Sequence, residues 1–353
     1  MDVRSKLGKV DRKYLQRFVF GRLGARRREV LVGPKFGVDI AVLRVGGGNV
    51  LVASTDPLSL IPRLGTRDSA WLSVHLLASD LTTSGFAPQW GIFDFNLPPS
   101  MRDLEFASYW RAFDLECRKL GLAIVGGHTG RYQGCDLTVI GGGVMCAIGR
   151  EDEYLTSAMA EEGDDLILTK GPAIETTAVL ARVFAKTVRK ALGSRLFEQA
   201  WRYLTKVSTV NDALTAVSAG RHEEGVTAMH DATEGGVIAA ALELADASRL
   251  GVDLDLFSIE ITEETRELCK LFKIDPLISL SEGSLLIACR PHRTSAVMRR
   301  LAAGGTNSQA IGRLTSNSGA AYGSMKRGRV RLRYPKFDPY WKAYWLATEK
   351  KLR

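Results

Sequence analysis

The chain has 353 residues, 45% hydrophobic and 25% charged, which is enough apolar content for a large core and a length that favours two domains. Its net charge of +9 suits anionic ligands, a nucleotide or a nucleic acid, without choosing between them. Five cysteines with no C-x-x-C pair argue against a disulfide framework and for reduced, mostly buried thiols in the cytoplasm, while no apolar run reaches the roughly 18 residues of a membrane span and the charged N-terminus lacks a signal-peptide core.

In chain order, residues 1–32 read as a basic, partly helical segment with an apolar stripe of Leu15, Phe18 and Val19. A strand over 38–45, a turn at Gly46-Gly47-Gly48-Asn49 and a strand over 50–55 follow. Helical spacing of Trp71, Val74, Leu77, Ala78 and Leu81 predicts a helix over 71–83. Strand 90–97, amphipathic helix 103–120, a short strand 122–125 running into Gly126-Gly127, and strand 137–148 complete a first domain over 33–150. The sequence then turns acidic (Glu151-Asp152-Glu153, Glu161-Glu162), marking a boundary near 150–162.

The second domain, 151–320, begins with strand 166–169, broken at Lys170-Gly171-Pro172. Helix 178–192, one or two helices over 197–220, strand 226–229 and helix 234–249 come next. An alternating stretch 252–256, helix 262–272, strand 284–289 and helix 294–303 complete it. Strands and helices alternate in both halves, so the fold class is α/β (α+β). The tail, 321–353, sets Arg329, Arg331 and Arg333 against Val330, Leu332 and Tyr334, and adds Trp341, Tyr344 and Trp345. Such a tail docks on its own domain or stacks on nucleic acid.

No phosphate loop of the G-x-x-x-x-G-K-[ST] type, H-E-x-x-H or G-x-S-x-G is present, and no cysteine–histidine cluster has zinc spacing. What remains is a ladder of aspartates beside small residues: Asp39, Asp56, Asp80 and Asp231. Each suits a turn or cap, and together they offer hard oxygen ligands for a magnesium–triphosphate. Thr233 is placed to cap a helix beginning at Glu234, whose N-terminus is a phosphate site. In Gly33-Pro34-Lys35-Phe36-Gly37, Lys35 is either a phosphate-binding cation or a solvated loop lysine. His128, between Gly126-Gly127 and Thr129, is either ligand-facing or a plain loop histidine.

Taken as an ordered set, these motifs resemble the superfamily of aminoimidazole ribonucleotide (AIR) synthase, the PurM-like fold, from about Gly33 to Leu314. Met229-His230-Asp231-Ala232-Thr233-Glu234-Gly235-Gly236 and Ser281-Glu282-Gly283-Ser284-Leu285-Leu286 are most similar to the HypE-related branch, and Gly126-Gly127-His128-Thr129 to selenophosphate synthetases. The resemblance implies ATP and Mg2+ as cofactors. It also implies an N-terminal sheet domain that pairs with a second copy into a dimer barrel, and a C-terminal sheet domain with helices on one side. Carried over by position, Asp39, Asp56 and Asp80 match metal-binding aspartates. Gly127 and Thr129 match nucleotide-loop positions, and Asp231, Thr233 and Glu234 match the motif that closes on phosphate or metal. His128 stands where several members have an acidic ligand; imidazole suits magnesium poorly, so a phosphate contact is the expectation.

Departures narrow the chemistry. The chain ends Lys350-Lys351-Leu352-Arg353 without the terminal cysteine of HypE proteins, no cysteine precedes Cys117, and Val38 replaces the first of two adjacent aspartates of thiamine-monophosphate kinases. The resulting expectation is a cytoplasmic, homodimeric enzyme that moves a phosphoryl group from ATP to an oxygen of a small substrate, with no residue standing out as general base. A protein partner is compatible with this reading; nucleic acid is not its expected partner. The alternatives are a non-catalytic ATP sensor or scaffold, and a nucleic-acid-binding protein acting through the basic tail.

Overall fold

The computed structural model describes residues 8–136 and 138–353; residues 1–7 of the expected basic segment and Leu137, the expected start of a strand, lie outside them. The chain forms two compact units, one of residues 29–33 and 39–154, the other of the described residues up to Arg28 with Pro34–Val38 and Leu155–Arg353. The latter includes a short helix α1 (Arg12–Phe18), capped by Asp11, whose carboxylate accepts from the Tyr14 N–H at 2.8 Å.

The unit centred on 39–154 contains β1 (Val30–Val32), β2 (Ala41–Gly46), β3 (Asn49–Ser59), α2 (Thr66–Thr82), β4 (Trp90–Leu97), α3 (Asp103–Lys119), β5 (Ala123–Arg131) and β6 (Val139–Arg150). The strands form one sheet in the order β1-β2-β3-β6-β4-β5. Successive β4 side chains face opposite ways: Phe93 and Phe95 are buried with Tyr109 and Phe113 of α3, while Ile92 is 50% exposed. Phe93 and Phe113 meet edge to face at 4.7 Å. α2 is tied to β3 by hydroxyls, Ser54 Oγ donating to Leu77 O at 3.2 Å and Ser73 Oγ accepting from Ser59 N at 2.9 Å.

Two strands run further than expected. β3 passes through Asp56 and Pro57 to Ser59, whereas a strand ending at 55 was predicted. Proline is tolerated because β2 pairs only as far as Ala41 opposite Ala53, so beyond it β3 has a single partner, β6. β5 continues through Gly126-Gly127 to Arg131, in parallel register with β4. The GGHT string is therefore an edge strand, not a glycine loop.

The other unit holds β7 (Asp165–Thr169), α4 (Ile174–Val183), α5 (Ala185–Trp201), α6 (Val210–Val217), β8 (Val226–Ala232), α7 (Gly236–Ser248), β9 (Gly251–Asp255), α8 (Glu263–Phe272), β10 (Ser284–Cys289), α9 (Thr294–Ala303), β11 (Ser308–Thr315), β12 (Ala321–Ser324), β13 (Arg329–Arg331) and α10 (Pro339–Glu349). Its sheet runs β13-β12-β9-β11-β7-β10-β8. Helices cover both faces, where one was expected. Leu286, Ala288 and Leu168 pack with α7, while Leu285, Ile287 and Ile167 pack with α6 and α9. That two-sided burial explains why β10 reads as an unbroken apolar run, Leu285-Leu286-Ile287-Ala288. The helix expected over 178–192 is two helices broken at Phe184.

The aromatic tail is taken up in packing on this unit. Tyr340, Ala343 and Ala347 of α10 are buried, and Tyr344 meets Phe184 at 5.7 Å between ring centroids. All five cysteines are free thiols; burial pushes those of Cys117, Cys269 and Cys289 up to about 12. No helix among the described residues is long and apolar enough to cross a membrane.

Candidate functional site

The second-half motif is built at the end of β8. His230 and Asp231 lie on this strand, 1% and 0% exposed, opposite Leu286 and Leu285 of β10. The chain then turns through Thr233, Glu234 and Gly235 into α7. Gly235 (φ 80°) and Gly236 (φ 65°) are left-handed, a conformation that disfavours side chains. A Cβ on Gly236 would stand 2.7 Å from Leu277 O and 2.8 Å from Ser279 N, so the turn is pressed against the 277–281 segment.

The glycines delay the helix by two residues, so it starts at Gly236 rather than Glu234, and Thr233 is not its cap. Thr233 O instead accepts from Gly236 N at 3.1 Å and Ser281 N at 3.2 Å, and its Oγ1 accepts from the Lys9 ammonium at 2.9 Å. Glu234 accepts from the backbone N–H of Lys9 and, at 3.2 Å, from the Trp341 indole N–H. The Gly235 N–H donates to Asp338 at 2.8 Å. Asp338 also accepts from Tyr340 N at 2.8 Å and Ser279 Oγ at 3.3 Å. Burial pushes the Asp338 carboxyl up to about 6 against the pull of the Gly235 and Tyr340 N–H donors, and the charge of Glu234 pushes the same way as burial. Both ends of the described chain thus hold this turn, and the N–H at the head of α7 is already engaged by a carboxylate.

His230 Nε2 and Glu243 Oε2 are 2.9 Å apart. Burial would raise the Glu243 carboxyl, but the His230 hydrogen bond together with the charges of Lys9 and His230 holds it below its usual range. Lys35 does not reach the turn. Its ammonium donates to Ala247 O, at the far end of α7, about 18 Å along the helix axis. There it meets the negative end of the helix dipole, and burial with the nearby Arg249 and Arg12 charges lowers its pKa. Gly37 (φ 74°) permits this docking, since a Cβ there would stand 2.5 Å from Glu243 O.

A neighbouring cluster gave no motif signal beyond a broken strand. Lys170, left-handed at φ 59°, places its ammonium 2.7 Å from Asp212 Oδ2. It also donates to Ser208 O at 2.7 Å and Lys206 O at 3.0 Å. Asp212 accepts from Thr169 and Thr306 hydroxyls, both at 2.9 Å. Beyond it, Ser281 Oγ accepts from Ala173 N at 2.7 Å, Ser284 Oγ donates to Gly171 O at 2.6 Å, and Thr176 meets Ser279 at 2.8 Å. These hydroxyls join the 169–177 and 279–284 segments, and the backbone bond from Ser281 N to Thr233 O ties the latter to the turn. Of these residues, Ser281 and Ser284 belong to the Ser281-Glu282-Gly283-Ser284-Leu285-Leu286 string that carried the family resemblance.

In the other unit, Asp39, Asp56 and Asp80 are each partly buried and do not gather into a three-carboxylate cluster within 4.8 Å. Asp56 lies on β3, on the same face as the buried Ser54 and Leu58, and Asp80 lies in the last turn of α2. Gly127 and Thr129 are exposed on β5. Gly127 (φ 153°) has a packing reason, since a Cβ would stand 2.0 Å from Phe93 O. His128 Nε2 lies 2.7 Å from the Tyr132 hydroxyl.

Comparison with known proteins agrees with both halves. Residues 37–147 match the model of the AIR synthase related protein N-terminal domain, and 161–322 that of the C-terminal domain. The selenide, water dikinase of Methanococcus maripaludis is 24% identical over 79% of this chain and 84% of its own length. The carbamoyl dehydratase HypE of Escherichia coli is 25% identical over 86% of this chain and 87% of its own. The crystal structure of hydrogenase maturation protein HypE in complex with ATP superposes with a TM-score of 0.63 at 19% identity, covering 95% of this chain and 98% of that one. With its two matched domains in order and a PurM-like fold, this chain belongs to the AIR synthase related protein family.

Proposed function

We propose that the protein is a magnesium-dependent enzyme that uses ATP to phosphorylate an oxygen of a small substrate. The observation that carries this reading is the ordered pair of family domains, shared with relatives named as a dikinase and a dehydratase and with a protein crystallised with ATP. The donor chemistry agrees. Asp39, Asp56 and Asp80 in one unit and Asp231 in the other offer the hard oxygens magnesium prefers. That Asp39, Asp56 and Asp80 do not form a three-carboxylate cage is compatible with magnesium, which keeps several waters and takes one or two carboxylates beside phosphate oxygens. When bound, the ion would neutralise charge developing on the transferred phosphoryl group.

The chain's own residues would act by position. Gly127 and Thr129, on the outer edge of the sheet, would face the nucleotide, with backbone groups not used by β4. His128 would meet phosphate rather than metal. In the other unit, Thr233 and Glu234 would meet phosphate or metal, held in place by Lys9 and Trp341. Lys35, fixed to the end of α7, is withdrawn from a phosphate-binding role. The reading includes a homodimer, in which the open apolar face of the six-stranded sheet, with Ile92 50% and Ile148 41% exposed, is covered by a second copy.

Isothermal titration with a non-hydrolysable ATP analogue, with and without magnesium, tests the reading. Binding should require magnesium and weaken about tenfold in Asp56→Asn and in Asp80→Asn. Asp114→Asn, which loses only an exposed pairing with Arg118 at 2.9 Å, should bind as the parent does. Absence of magnesium-dependent binding rejects the proposal. Phosphate release at saturating ATP with candidate amides distinguishes an enzyme from a sensor.

A further inference from the structure

A cavity of about 390 Å³ lies on the flank of α7, within the size range of small-molecule sites. Leu242, Ala245, Leu250, Ala321 and Leu332 give it apolar walls. Arg331 and Arg333 also line it. The tail strand dictates this arrangement. β13 pairs with β12 through Tyr322 opposite Arg331, and Leu332 N donates to Ala321 O at 2.9 Å. Leu332 then packs onto the core shared with Leu242 and Ala321, which leaves its two arginine neighbours exposed.

The three tail arginines differ in what they meet. Arg329 is engaged, ion-paired with Asp253 and stacked 4.1 Å over the Tyr322 ring. Arg331 and Arg333 have no acidic partner among the described residues. The carboxylate on the cavity wall, Asp246, is itself neutralised by Arg12 at 2.5 Å and accepts from the Tyr334 hydroxyl at 2.9 Å. The cavity therefore combines apolar walls and a satisfied polar corner with two lining arginines that have no acidic partner among the described residues, a combination that suits a carboxylate or phosphate carried on an apolar body.

We propose that this cavity is a second ligand site, separate from the Thr233–Gly236 turn, which takes a small amphipathic anion: the apolar part lies against Leu242, Leu250 and Leu332, and the acid group meets Arg331 and Arg333. The site goes beyond the nucleotide reading and does not depend on it. β13 and the two arginines lie past residue 322, where the match to the family's C-terminal domain ends, while the apolar walls lie within it, apart from Leu332.

The test uses the full chain with octanoate as probe, octanol as its neutral counterpart, and an Arg331→Gln/Arg333→Gln double variant. Both arginines are exposed, so the variant should fold, as circular dichroism would verify. Octanoate should bind saturably to the parent, about tenfold more tightly than octanol, and the double variant should lose that preference. The same titration with the ATP analogue should be unchanged by the double substitution, which separates this site from the nucleotide site. Equal octanoate affinity in parent and variant, or no saturable octanoate binding, overturns the proposal.

Discussion

Asp212→Asn tests whether the Lys170 cluster is held by electrostatics or by packing alone. The parent pair is almost dry, with side chains 13% and 4% exposed and 2.7 Å between charged atoms. Burial lowers the Lys170 pKa, while the Asp212 charge and its hydrogen bond oppose that shift. Removing the negative charge leaves an ammonium with carbonyl acceptors but no counter-ion. Breaking a buried pair from one side typically costs about 3–5 kcal/mol. In a unit of this size each kcal/mol moves the melting temperature by about 2–4 °C, so a drop on the order of 10 °C is expected. Lys170→Met should cost a similar amount. The double variant should cost less than the two singles summed, with a coupling of about 2 kcal/mol, because it leaves no lone charge. Thermal and urea unfolding of the four proteins give the cycle. A loss below about 1 kcal/mol for Asp212→Asn, or strict additivity, would refute the reasoning.

His75 is 8% exposed, stacked on Trp71 at 4.1 Å, and burial holds its pKa down at about 4, so the unfolded chain takes up a proton between about pH 6.5 and 4 that the folded chain refuses. Stability should therefore fall on acidification through that window by up to about 3 kcal/mol, and His75→Gln should flatten the slope in urea titrations; parallel curves would count against it. Asp338 has the opposite sign: raised to about 6, it binds a proton in the fold that the unfolded chain lacks, so its contribution falls as pH rises from about 4 to 6. Asp338→Asn should remove that component, and amide exchange at Gly235, its hydrogen-bonded partner, should quicken; unaltered exchange would show that Asp338 does not hold the turn. Gly236→Ala should cost well over the ~1 kcal/mol of a left-handed alanine because of the Leu277 and Ser279 contacts, whereas Gly163→Ala, also left-handed but facing open space, should cost about that alone. Equal melting temperatures for the two variants would remove the steric argument.

Much of the fold was legible because its signals are local. Strand 90–97 follows from alternation, strand 284–289 from a short apolar run and helices 103–120 and 294–303 from helical spacing, and all four appear within a residue of the expected bounds. The family likeness was legible because it rests on the identity and order of short strings, Gly126-Gly127-His128-Thr129 and His230-Asp231-Ala232-Thr233-Glu234-Gly235-Gly236. Pattern thus determined the α/β class, and the resemblance carried by the ordered motifs pointed to the family. Only the tertiary structure decided what the individual site residues do, because their partners are remote. Pairing with β4 draws the double glycine into a strand, and Gly127 must be glycine because Phe93 O crosses it. Thr233 meets a lysine 224 positions away, and Gly235 an aspartate 103 positions away. Lys35 is drawn to the far end of α7 by the Ala247 carbonyl, which no local pattern could place.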